Sequence, residues 1–99
     1  MTSSDNIELA FKYHFPKLTS QLRGDNCLEA YIGEYNLLTF SRVTEYSLSN
    51  LPIGTYCSYY NLPYDDSIPL HQSTDLNELM QVTKQKLNDM FADWTAKVN

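Results

Sequence analysis

Basic residues are few in this 99-residue chain, histidines fewer, and long apolar runs are missing altogether. Seven Lys and Arg stand against twelve Asp and Glu, for a formal charge of −5. The cations (Lys12, Lys17, Arg23, Arg42, Lys84, Lys86, Lys97) are scattered, with no basic stripe. Phosphate neutralisation supplies most non-specific nucleic-acid affinity, so direct nucleic-acid binding is not expected. A field of this sign favours capture of a protein partner with a basic surface instead. No apolar run approaches the roughly 18 residues of a membrane-spanning helix. The start, MTSSDNIELAFKYHF, lacks the basic and continuous apolar regions of a signal peptide. No membrane contact is expected, and a cytoplasmic location is (the host cytoplasm, if a virus encodes the chain).

Cysteine and glycine are equally sparse. Cys27 and Cys57 are too few for a disulfide scaffold, and neither has the spacing of a zinc site. Gly24, Gly33 and Gly54 stand alone, so there is no phosphate loop, dinucleotide fingerprint or nucleophile elbow. With two histidines, the one catalytic arrangement to weigh is Cys57 with His71 and Asp66. Nothing nearby in the sequence supplies the cation or helix N-terminus that lowers a thiol pKa. Asp65 and Asp66 are adjacent carboxylates, but YDDSIPLHQ lacks the oxygen spacing and glycine of a calcium loop. The expectation is a non-enzymatic protein with no catalytic residues, no metal and no cofactor.

What is present describes one α+β domain over residues 1–99, room for a single hydrophobic core. Leu76, Leu79, Met80, Thr83, Leu87, Met90, Phe91, Trp94 and Val98 recur at steps of three and four. That spacing predicts an amphipathic helix over 75–97, with Asp75 and Glu78 spaced as a capping box and Ser73 and Thr74 as rival caps. Residues 28–33, 37–48 and 53–60, rich in Tyr, Phe, Val, Ile and Thr, predict an antiparallel sheet of about three strands. Gly33–Asn36 and SNLPIG (49–54) are the turns between them. NLPYDDSIPLHQ (61–72), with two prolines, reads as a long loop. Residues 6–15 fit either an alternating strand or a helical stripe of Ile7, Phe11, Phe15, Leu18 and Leu22. Helix broken at Pro16 is preferred.

Half of the eight tyrosines lie in TYCSYYNLPYDD (55–66). Alternation along a strand puts Thr55, Cys57 and Tyr59 on one face and Tyr56, Ser58 and Tyr60 on the other. The first set reads as inward, leaving Tyr56 and Tyr60 outward, followed by Tyr64, Asp65 and Asp66. Tyrosine offers large contact area, few rotors and a polar tip, so these five residues are the candidate partner-binding site. The function expected is that of a small acidic inhibitor or adaptor docking on a basic partner. Acidic domains without catalytic signatures include virus-encoded inhibitors of host defence, an argument by class alone. The alternative is a dimeric, chaperone-like adaptor of the secretion-chaperone type; an enzyme stands third.

Overall fold

The structure, a computed structural model, describes residues 3–24, 26–45, 50–62 and 66–90. Helix α1 (Ser3–His14) leads into a five-stranded meander, followed by helix α2 (Leu76–Met90). The strands are β1 (Thr19–Leu22), β2 (Cys27–Ile32), β3 (Tyr35–Arg42), β4 (Tyr56–Asn61) and β5 (Ser67–Ser73). They lie in the order β1-β2-β3-β4-β5, each antiparallel to the next. The fold is α+β, with both helices on one face of the sheet.

The expected three strands are therefore five. β1 arises in the stretch that also fitted a helical stripe. α1 stops at His14 because Pro16 disfavours helical backbone at Phe15. The Phe15 amide closes the last turn on the Phe11 carbonyl (2.8 Å), and the chain then turns into β1 rather than a second helix. β5 occupies the stretch read as a loop. Proline removes one ladder donor, which an edge strand tolerates, and Pro69 lies in such a strand.

The core is built from α1 (Ile7, Phe11), the turn after it (Phe15, Leu18), the sheet (Leu28, Ala30, Leu37, Leu38, Phe40, Leu70) and α2 (Leu79, Met80, Leu87). Phe11 and Phe15 stack at 5.3 Å, and Phe40 meets Phe11 edge-on at 5.7 Å. Two bulges break the alternation that the sequence suggests. The ladder passes from Ala30↔Leu38 to Tyr31↔Asn36 and from Ser58↔His71 to Tyr59↔Pro69, skipping Leu37 and Leu70. Each skipped leucine turns into the core.

The C-terminal helix follows its expected face through Leu87, while Met90 of the expected stripe is exposed. Leu79, Met80, Thr83 and Leu87 are buried, while Asn77, Gln81 and Gln85 are exposed. Its cap is Asp75, whose Oδ1 accepts from the amides of Asn77 (2.9 Å) and Glu78 (3.3 Å). The expected continuation to residue 97, with Phe91, Trp94 and Val98, lies outside the described residues.

Candidate functional site

Because every strand pair is antiparallel, the β2–β3 and β4–β5 turns emerge at the same end of the sheet. The first turn is tight. Ile32 pairs with Tyr35 across Gly33 and Glu34, and Gly33 has φ +61°, which suits glycine at the first central position of a two-residue hairpin. The second hairpin is closed by the Leu62 amide, which donates to the Asp66 carbonyl (2.8 Å). Asp66 Oδ1 accepts from the Ser67 amide at 2.9 Å.

The two hairpins are tied together. The Tyr35 hydroxyl donates to the Asn61 carbonyl. On the helix-free face, Asn61 Nδ2 donates to Asn36 Oδ1 (3.2 Å) and Thr39 Oγ1 (2.9 Å), and Asn36 Nδ2 donates to Glu29 (2.8 Å). Glu29 also takes hydrogen bonds from the Tyr31 hydroxyl (3.0 Å) and from Arg23. The Arg23 guanidinium holds the Glu29 carboxyl below its ordinary pKa, and Glu29 in turn raises that of Arg23. The result is a braced polar network running from the β1–β2 turn to the end of β4.

At this braced end the helix-side row is not covered. Ile32, Tyr35 and Ile68 are 43%, 38% and 38% exposed. Ile68 is paired with Tyr60, which packs half-buried against the core. Burial, and after it the neighbouring Tyr35 hydroxyl, push the Tyr60 pKa up. Glu34, in the turn between Ile32 and Tyr35, and Asp66, two residues before Ile68, are both exposed. A rigid end with exposed apolar area and carboxylates is chemically suited to a surface that is apolar and basic together.

The facing expected for β4 is reversed. Tyr60, Ser58 and Tyr56 stand opposite Leu38, Phe40 and Arg42, on the side that the helices cover. Ser58 Oγ and Thr83 Oγ1 of α2 share a buried hydrogen bond of 2.6 Å. Tyr56 and Tyr60 both pack against the core instead of standing in water. Thr55 and Cys57 are buried as expected, yet outside the main core cluster, on the other face with Tyr59. Of the five candidate residues, Tyr60 and Asp66 reach the hairpin end, and Tyr56 lies at the opposite end of β4. Tyr64 and Asp65 lie outside the described residues. Ile32, Glu34, Tyr35 and Ile68 were not singled out; their sequence signal was an Ile and a Tyr directly bracketing a two-residue turn.

The imagined Cys57–His71–Asp66 set is not assembled. His71 pairs with Ser58 on the helix side and meets Glu78 of α2 at 3.5 Å, whereas Cys57 points to the opposite face. Burial raises the Cys57 pKa, the wrong direction for a nucleophile. Cys27 and Cys57 are both opposite Ser41, one on each side. Two strand spacings of about 4.8 Å separate them, beyond disulfide reach. Among the described residues no three His, Cys, Asp or Glu side chains are grouped as metal ligands, and no helix is long and apolar enough to cross a membrane.

Set against known proteins, the chain matches no family model, no curated protein and no solved structure. The site therefore rests on its own geometry. Open clefts among the described residues include one of about 420 Å³ beside Tyr13, His14, Asn77 and Gln81 and one of about 300 Å³ beside Asn26, Arg42, Thr44, Glu45 and Ile53. His14 is only 9% exposed, and its Nε2 has no hydrogen-bond partner.

Proposed function

We propose that this chain is a small acidic protein-binding module, an inhibitor or adaptor, that docks a basic and partly apolar partner surface on its hairpin end. The observation that carries the reading is the exposure of Ile32, Tyr35 and Ile68 at one end of the sheet, on hairpins that also carry exposed Glu34 and Asp66. Large apolar side chains at an exposed sheet end are a liability unless something covers them. The braced network beneath them lowers the ordering cost of binding, because Tyr35 and Asn61 are already held. The net charge of −5 steers a basic partner toward the molecule, and the two carboxylates orient it.

The test uses a partner captured from extracts of the native host and then purified. Its affinity is compared for the wild-type chain, Ile32→Ser with Ile68→Ser, Glu34→Gln with Asp66→Asn, and Asp75→Asn as a remote control that keeps a capping side chain. The apolar pair is expected to lose at least about tenfold in affinity, equal to roughly 1.4 kcal/mol. The charge pair is expected to slow association and flatten its salt dependence. Equal binding by all four proteins removes the hairpin end from consideration.

A further inference from the structure

The two edges of the sheet are not alike. β5 is guarded: it contains Pro69, it bulges at Leu70, and Lys86 Nζ donates to the Leu70 carbonyl. These devices discourage strand pairing. β1, with the sequence TSQL, has neither proline nor charge, and its register with β2 is unbroken. We propose that the β1 edge pairs with the β1 edge of a second copy of this chain, antiparallel about a two-fold axis, joining two five-stranded sheets into one.

The phase of the ladder supports this pairing. The Arg23 amide donates to the Cys27 carbonyl at 2.9 Å, which makes Arg23 and Cys27 a hydrogen-bonded pair. Bonded and non-bonded pairs alternate along an antiparallel ladder. Gln21 and Thr19 therefore also turn their backbone groups toward β2, and Ser20 and Leu22 turn theirs outward. With Ser20 on the two-fold axis, each Ser20 amide donates to the other Ser20 carbonyl. Each Leu22 amide then meets the Leu18 carbonyl of the opposite copy. Leu18's own amide is already engaged with the Phe15 carbonyl (3.2 Å), so the register asks of it only an acceptor.

Side chains agree with this register. It keeps helix-side residues opposite helix-side residues and sets half-buried Leu22 beside Leu18 of the other copy. α1 packs on β1 and β2, and Tyr13 and His14 face Asn77 and Gln81 of α2. At about 100° per residue, Glu8 and Lys12 fall on the other flank of α1, above the β1 edge. They form an exposed ion pair (3.3 Å). The contact between copies is small, so the pairing depends on concentration. Antiparallel pairing points the two hairpin ends in opposite directions, giving a bivalent molecule. The pairing itself does not depend on what those ends bind.

Sedimentation equilibrium of the full chain from micromolar to millimolar concentration tests the proposal. The average mass is expected to climb from 11.5 kDa toward twice that value. Ser20→Pro removes one outward amide and no bond to β2, so an edge strand accommodates it. This variant is expected to stay at 11.5 kDa throughout, with an unchanged circular dichroism spectrum and melting curve at micromolar concentration. Ser20→Cys is expected to cross-link on oxidation, since directly bonded strand partners lie about 5.5 Å apart at Cα, within disulfide range. Peptide mapping is expected to place that link between the two copies of position 20. A wild-type mass constant at 11.5 kDa up to millimolar concentration overturns the proposal. So does a Ser20→Pro chain that associates like wild type, or a Ser20→Cys chain that does not link.

Discussion

Ser58 and Thr83 are both wholly buried, and their hydroxyls share the 2.6 Å hydrogen bond that joins β4 to α2. Thr83→Val keeps the side-chain shape and deletes one hydroxyl, leaving Ser58 Oγ buried without a partner. An orphaned buried polar group costs about 1–3 kcal/mol. Ser58→Ala orphans the other hydroxyl less severely, because a helical threonine can turn to the carbonyl four residues back, here Leu79. Its cost is about 0.5–1.5 kcal/mol, the net worth of an ordinary hydrogen bond. The double variant leaves two apolar groups in contact and is expected near wild-type stability. The cycle thus carries a coupling energy of roughly 1.5–4.5 kcal/mol, the sum of the two single losses and opposite to them in sign. In a domain of this size each kcal/mol lowers Tm by about 4–8 °C, so Thr83→Val melts well below wild type while the double variant recovers. Urea unfolding of the four proteins, with slopes checked for constancy, gives the cycle. A Thr83→Val chain as stable as wild type, with no recovery in the double variant, refutes the packing of Ser58 on α2. It would turn Tyr56 and Tyr60 back toward water.

Three further outcomes follow from the same contacts. Gly33→Ala meets no atom within 4 Å, so its whole effect is the left-handed backbone at φ +61°: a loss of about 1 kcal/mol in chemical denaturation, with no change in core packing by near-ultraviolet circular dichroism. Asp75→Ala removes the acceptor of the Asn77 and Glu78 amides and is expected to cost about 1 kcal/mol, with Asp75→Asn nearly harmless. Glu29 has a folded pKa held below its ordinary 4.5 by Arg23, so its ion pair stabilises the fold above that value and the contribution fades as pH falls through the lower folded value. The stability gap between wild type and Glu29→Gln is therefore expected to be full at neutral pH and to narrow in acid; a gap that widens in acid contradicts the assignment.

Some of this was legible in the residues and some could not be. The C-terminal helix was, because its period and its cap at Asp75 are local properties. β5 was hidden by Pro69, whose missing donor forbids a central strand but not an edge, and edge position is a property of the whole sheet. The two faces of β4 were exchanged because Ser58 looks wet. It is buried only because Thr83, 25 residues away, satisfies its hydroxyl. The adjacent pair Leu37 and Leu38 defeats alternation through a bulge. At the site, Tyr60 and Asp66 were in view, whereas Ile32, Glu34, Tyr35 and Ile68 belong to two hairpins that meet only once the strand order is known.

The central claim is that the hairpin end is where a partner sits, and amide hydrogen exchange of the chain with its captured partner tests it most directly. The account predicts slowed exchange at residues 31–35 and 66–68 on binding, with the outer surfaces of α1 and α2 little changed. Protection confined to the helices, with both hairpins exchanging as in the free protein, would contradict it.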